Sequence, residues 1–247
     1  MKTLYLVLLL VLPGLHPWLA LGQTAEPAAD LTAAVQAAHQ QHDAAFAVSP
    51  QLINGPEYVD YTQRYAQRRG HQFFLSSERQ PGSVYANGYL FDHLQLSYDV
   101  VRDQLVLPQP TSPLQLHLVD EHVRWFQLAG HRFARLQADS AAVGIIKTGY
   151  YEVLVDSTVQ VLAKRIKQLQ EQVEQRQVRA NFLTRDRLYI RKNGTYYPVA
   201  RKKDLLPLLA DRGPAVQQHL KEQRLKFNRE QLEASTVRLV RFYNRLP

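Results

Sequence analysis

Between Phe73 and Val199 apolar residues recur at every second position, and this period constrains the fold more than any other feature of the chain. The segment HLQLSYDVVRDQLVL, residues 93–107, alternates apolar and polar residues, turns near Arg102-Asp103 and then alternates again. A period of two places successive side chains on opposite faces of a strand. Short strands joined by tight turns therefore predict an antiparallel meander, either a curved sheet or a partly open barrel, whose apolar face needs a cover.

Turn signals separate the predicted strands. They fall at Asp120-Glu121, Ala129-Gly130, Asp156-Ser157 and Asn193-Gly194. Asn-Gly is the strongest of these, because both central residues of a type I′ turn need a positive φ. The stretch KRIKQLQEQVEQRQVRANFL, which contains residues 164–180, fits either a helix or a hairpin with a Gln-rich tip. We favour strands, because the flanking segments are strand-like and no helix stop signal is present.

The last part of the chain, about 201–245, predicts helices that cover the sheet. Asp204 is a candidate cap, and Gly213-Pro214 separates two helical segments. A helical stripe runs through Leu232, Val237, Val240, Tyr243 and Leu246. Near the other end, Pro56 and the spacing of Tyr58, Tyr61 and Tyr65 predict a short N-terminal helix. The predicted fold class is α+β, with the sheet over about 73–199.

The first 22 residues have the plan of a secretory signal peptide. Met1-Lys2 precedes a short apolar core, and Ala20-Leu21-Gly22 offers small residues for cleavage. Residues 23–50 are rich in Ala and Gln and predict a leader or loose helix. We expect a single domain over 51–247, exported to the periplasm or exterior of a bacterium. The chain has no cysteine, which removes disulfides and thiolate sites.

The charge is divided unevenly along the chain. Residues 23–163 hold 9 Lys and Arg against 14 Asp and Glu, whereas residues 164–247 hold 20 against 8. In an exported protein a basic half suits a protein or an anionic envelope component better than nucleic acid. The candidate surface for an anionic partner is Arg191, Lys192, Arg201, Lys202 and Lys203. The alternative is that these residues only solvate strand and helix faces.

We find no motif for catalysis, a cofactor or a metal. A Gly-x-Ser-x-Gly elbow is absent, and Ser76, Ser77 and Ser83 lie near turns without a diagnostic context. Two clusters contain metal-ligand residue types but lack a known ligand spacing. They are His39, His42 and Asp43, and His117, Asp120, Glu121 and His122. The carboxylate pairs are Asp99 with Asp103 and Asp120 with Glu121, three of whose residues fall at predicted turns.

Five segments carry a resemblance to a known family. They are LINGPEYVDY, GHQFFLSS, GSVYANGYLFDHLQLSYDVV, GYYEVLVD and YIRKNGTYYPVARKKDLLPLL. In this order they resemble an uncharacterised family of exported bacterial proteins, over most of the chain beyond residue 52. The resemblance implies export and a single domain, and it brings no catalytic residue with it.

Three functions remain open from the sequence. The first is a non-enzymatic envelope protein that binds a protein or an anionic component through its basic C-terminal surface. The second is a periplasmic carrier that holds a lipid or another hydrophobic ligand in an apolar cavity of the sheet. The third is a hydrolase whose nucleophile and base meet only in the folded chain.

Overall fold

The computed structural model describes residues 52–110, 112–138, 145–174 and 177–247. The predicted signal peptide (1–22) and leader (23–50) lie outside these ranges, as do His39, His42 and Asp43, so these predictions stay untested. No helix within the described ranges has the length and apolar character needed to cross a membrane.

Strands are the most abundant regular structure in the described residues, and they form two sheets. Nearly all neighbouring strands are antiparallel, as the alternation predicted, and β1 and β11 are the parallel pair. The ten-stranded sheet has the order β13-β12-β9-β8-β7-β6-β2-β3-β4-β5, and the three-stranded sheet has the order β1-β11-β10. The strands are β1 (Gln67–Arg69), β2 (Gln80–Ala86), β3 (Tyr89–Asp99), β4 (Gln104–Pro108), β5 (Gln115–His117), β6 (Val123–Leu128), β7 (His131–Leu136), β8 (Gly149–Val155), β9 (Val159–Lys164), β10 (Lys167–Glu174), β11 (Gln177–Thr184), β12 (Arg187–Lys192) and β13 (Thr195–Val199).

The large sheet departs from a simple meander at two positions. Strand β6 pairs with β2 instead of β5, so that two four-stranded meanders are joined edge to edge. This pairing sets Val84 opposite Phe126, and neither side chain is exposed to solvent. Strand β9 pairs with β12, because the β10–β11 hairpin that separates them in sequence belongs to the smaller sheet.

Two local predictions from the sequence are confirmed. Residues 167–174 and 177–184 are strands and not a helix, so the ambiguous Gln-rich stretch is a hairpin. Asn193 and Gly194 have φ of 52° and 79°, as a type I′ turn between β12 and β13 requires.

The buried residues of the large sheet form two main clusters. The first is built from β2 to β8 and includes Tyr98, Phe126, Phe133 and Tyr150, none of which is exposed. Their rings contact one another with centroid distances between 4.8 and 6.0 Å. Aromatic side chains therefore fill the interior of this half of the sheet.

The second cluster lies between the sheet and the C-terminal helices, which cover it as predicted. The helical region comprises α1 (Lys202–Leu205), a 3-10 helix (Leu206–Arg212), α2 (Gly213–Glu222) and α3 (Leu232–Tyr243). On α3, Leu239 and Val240 are fully buried against residues of β9 and β12 such as Val161 and Ile190. The apolar stripe of α3 is what closes this side of the sheet.

The predicted N-terminal helix is wrong. Only one turn of 3-10 helix forms, at Tyr61–Arg64, and β1 follows it. The three tyrosines do not share one partner: the hydroxyls of Tyr58 and Tyr61 donate to Asp99, whereas that of Tyr65 donates to Glu171. Tertiary contacts of the separate rings thus override the helical spacing.

Candidate anion-binding groove

The five residues predicted as an anionic-partner surface do not form one patch. Arg201, Lys202 and Lys203 are exposed at the start of α1. Lys192, by contrast, donates from Nζ to Asp211 Oδ1 at 2.9 Å, to the hydroxyl of Tyr243 at 3.0 Å and to a backbone carbonyl. Its charge is satisfied inside the protein and joins β12 to the helices.

Arg191 also has partners within the sheet. Its Nη1 donates to Gln160 Oε1 at 3.2 Å, and its guanidinium lies 5.5 Å from the ring centroid of Tyr196 on β13. Arg191 and Lys192 therefore help to hold β12 in place, and the exposed part of the predicted surface is reduced to residues 201–203.

A groove next to residues 201–203 is a better candidate for an anion-binding site than the predicted surface. It has a volume of about 950 Å³, within the range of ligand pockets. We call it the arginine groove, because Arg187, Arg201 and Arg229 line it. Its other lining residues are Ile145, Asp186, Leu188, Tyr189, Pro198, Val199, Ala200, Asp204, Phe227, Leu232 and Glu233.

The three arginines come from separate parts of the chain. Arg187 is the first residue of β12, Arg201 immediately precedes α1, and Arg229 lies in the connection between α2 and α3. Packing of the helices on the sheet brings the last of these to the other two. All three side chains are exposed.

The carboxylates of the groove are held by groups within the protein. Arg165 donates from Nη1 to Asp186 Oδ2 at 2.9 Å and from both terminal nitrogens to Glu233 at 2.8 and 2.9 Å. Asp204 Oδ2 accepts from the backbone N–H groups of Ala200 and Arg201 at 3.0 and 2.9 Å. Asp204 is the third residue of α1 and stabilises the start of the helix through these two bonds. The sequence placed it at the cap itself, which is Arg201 in the structure.

The arginines have no such partners in the part of the chain that the structure describes. Within that part, no carboxylate reaches ion-pair distance of the side chains of Arg187, Arg201 or Arg229. The carboxylates of the groove have ion-pair or hydrogen-bond partners within the described part of the protein, whereas these three arginine side chains do not. The groove therefore presents positive charge without a partner among the described residues.

A second groove adjoins the first. Its volume is about 1130 Å³, and it shares Asp186, Arg187, Arg229 and Glu233 with the arginine groove. Nine of its thirteen lining residues are polar or charged, whereas eight of the fourteen in the arginine groove are apolar. We call the two adjoining grooves together the channel; it has a more apolar end and a more polar end, which meet at Asp186, Arg187, Arg229 and Glu233.

The candidate metal and acid–base residues lie elsewhere. Asp120 accepts from the hydroxyl of Tyr150 at 3.0 Å, and Glu121 contacts Arg135 at 3.5 Å, so the carboxylates of this turn have protein partners. Among the described residues, no group of three His, Asp or Glu side chains is placed to hold a metal.

The carboxylates of Asp99 and Asp103 also have separate structural partners. Asp99 is fully buried and accepts hydrogen bonds from Tyr58 and from the backbone N–H groups of residues 101 and 102. Burial raises its pKa, although these hydrogen bonds oppose the shift. Asp103 forms an ion pair with Lys164 at 2.5 Å and accepts from Tyr98. They fix the β3–β4 turn and do not act as a pair.

Sequence reasoning missed Arg187 and Arg229. The only signal for them was the basic excess of residues 164–247, which does not distinguish one arginine from another. Their contribution depends on long-range packing, which a reading of local patterns cannot provide.

Comparisons with known proteins yield no match: no family model, no curated protein and no solved structure is similar to the chain.

Proposed function

We propose that the chain is a non-enzymatic binding protein of the bacterial envelope, and that the arginine groove holds an anionic group of another envelope component. One observation carries the proposal: the carboxylates of the groove are engaged within the protein while Arg187, Arg201 and Arg229 are not.

The physical reason is electrostatic. Guanidinium groups form bidentate, charge-assisted hydrogen bonds with carboxylates and phosphates. An anion that binds among these three guanidinium groups would supply the charged partner that the described carboxylates do not give them. The lining of the groove, which excludes part of the solvent, strengthens such contacts over those of a flat surface.

The composition of the groove supports a binding role over catalysis. The residues that line it include no Ser, Thr, Cys or His, so a hydroxyl or thiol nucleophile of these types paired with an imidazole base is absent from its lining. Its carboxylates Asp186 and Glu233 both form ion pairs with Arg165, which holds them within the protein.

The alternative of a carrier with a cavity inside the sheet has less support. The side chains of Tyr98, Phe126, Phe133 and Tyr150 occupy that interior and contact one another. The grooves on the surface are a better place for a ligand.

Binding to a soluble polyanion tests the proposal. The probe is dextran sulfate against neutral dextran, with binding measured by biolayer interferometry at several salt concentrations. The test variant is Arg187→Gln/Arg201→Gln/Arg229→Gln. The control is Arg124→Gln/Arg238→Gln/Arg245→Gln, which removes three exposed charges that do not line the groove and leaves the same net charge.

We expect dextran sulfate to bind the unmodified chain and the control, and the groove variant to bind at least tenfold more weakly. Circular dichroism and urea unfolding establish that both variants fold. Equal loss in the two variants would show that only net charge attracts the polyanion, and the proposal would be wrong.

A further inference from the structure

We infer that the ligand of the channel is a single-chain amphiphile, in which an acyl chain lies in the apolar end and an anionic head group, phosphate or carboxylate, lies between Arg187 and Arg229. This inference rests on the proposed function, because it specifies which anion the groove takes.

The apolar end has the character of an acyl-chain site. Phe227 and Leu232 contribute side chains from the helical side, and Pro198 on β13 contributes an exposed apolar ring. Phe227 and Leu232 are half-buried, so part of their apolar surface faces the groove. A purely ionic ligand would leave this surface wet, whereas an acyl chain would cover it.

The position of the arginines fits a head group. Arg187 and Arg229 are the basic residues shared by the two grooves, where the apolar lining gives way to the polar lining. An anion held there would have its chain in one direction and solvent or a polar substituent in the other. The polar end, which contains Gln168, Thr184 and Arg185, could receive that substituent.

The volume is consistent with one chain. The arginine groove, at about 950 Å³, is near the upper end of the range for pockets that bury a small ligand. This volume has room for one acyl chain together with its head group. Burying each methylene group should tighten binding by roughly threefold to fourfold, which gives a chain-length series a clear expected slope.

The experiment is isothermal titration calorimetry below the micelle concentration. The probes are octanoate, decanoate and dodecanoate for chain length, dodecyl phosphate for the other head group, and monolauroyl glycerol as the neutral counterpart of dodecanoate. Acetate and inorganic phosphate supply the head groups alone. Comparing dodecanoate with dodecyl phosphate distinguishes a carboxylate head from a phosphate head.

We expect the dissociation constant to fall about tenfold for every two methylene groups added. Dodecanoate should bind at least tenfold more tightly than monolauroyl glycerol, and Arg187→Gln/Arg229→Gln should remove that preference. Phe227→Ser should reduce the slope with chain length while leaving the preference for the anion. The control Arg124→Gln/Arg238→Gln should change neither.

The outcomes separate the inference from the proposed function. If dextran sulfate binds through the groove but affinity does not depend on chain length, the amphiphile inference is overturned and the anion-binding proposal stands. If chain length matters but the two arginines do not, the chain lies elsewhere, and the inference is again wrong. If neither dextran sulfate nor the amphiphiles bind, both proposals fail.

Discussion

Arg165 donates from both terminal nitrogens to the two carboxylate oxygens of Glu233, at 2.8 and 2.9 Å, and so connects the end of β9 to helix α3. The Nε of the same guanidinium lies 2.5 Å from Glu152 on β8. One arginine therefore links two neighbouring strands, a helix and the wall of the arginine groove.

Removing Arg165 should be among the more destabilising single changes in the molecule. The Glu152 side chain is only 4% exposed, so Arg165→Met would leave a buried carboxylate with His131 as its remaining side-chain partner. We expect a loss of about 3–5 kcal/mol in the free energy of unfolding, measured with urea. Glu230→Gln, an exposed change in the same region, should cost less than about 0.5 kcal/mol. Equal costs would contradict the role given to Arg165.

Asp211 should give stability a dependence on acid pH. Hydrogen bonds from the Tyr243 hydroxyl and then from Lys192 lower its pKa to about 2. A depressed pKa means that the folded state prefers the carboxylate, so the stabilisation is present above the unfolded value of 3.8 and is lost as pH falls towards 2. The difference in unfolding midpoint between the unmodified chain and Asp211→Asn should be constant from pH 5 to 7 and shrink below pH 4. A difference that stays constant down to pH 2 would refute this.

Gly149 should not tolerate a side chain. It has φ of +147°, and an added Cβ would lie 2.0 Å from Asp103 Oδ2 and 2.7 Å from Lys164 Nζ. Gly149→Ala must therefore disturb the Asp103–Lys164 ion pair as well as strain the backbone, and we expect a loss of about 3 kcal/mol. The matched change Gly130→Ala has positive φ but no atom within 4 Å of the new Cβ, so strain alone should cost about 1 kcal/mol. Urea unfolding of both variants measures the difference.

The cover formed by α3 can be tested at one position. Leu239 is fully buried between the helix and the sheet, and Leu239→Ala should cost about 2–5 kcal/mol of unfolding free energy. Its neighbour Arg238 is exposed, so Arg238→Ala should remain within about 0.5 kcal/mol of the unmodified chain. Similar values for both changes would mean that the helix does not pack as described.

Features set by local sequence were predictable. Leu96 and Tyr98 alternate with polar neighbours and are both fully buried, because a period of two fixes which side chains share a face. The turn at Asn193-Gly194 follows from the φ values that its residues can adopt. The C-terminal helices that cover the sheet were predictable from the apolar stripe that includes Val240, which is buried in the structure.

Features that depend on contacts between distant parts of the chain were not predictable from the sequence. The pairing of β6 with β2 joins parts of the chain that no local pattern relates, and the helical spacing of Tyr58 and Tyr65 misled because the two rings have different tertiary partners. Lys192 was predicted as surface charge, yet Asp211 and Tyr243 surround it in the fold. The arginine groove depends in the same way on Arg187 and Arg229 meeting through packing.

The parallel pairing of β1 with β11 has a consequence for the order in which the chain folds. Gln67 lies opposite Arg179, so the smaller sheet cannot be completed until most of the polypeptide has left the ribosome. A nascent chain that ends before residue 177 would leave β1 without its hydrogen-bonding partner, even with the β2–β3 hairpin already synthesised. Contacts of such long sequence separation are slow to form, so the closure of this sheet is expected late in folding.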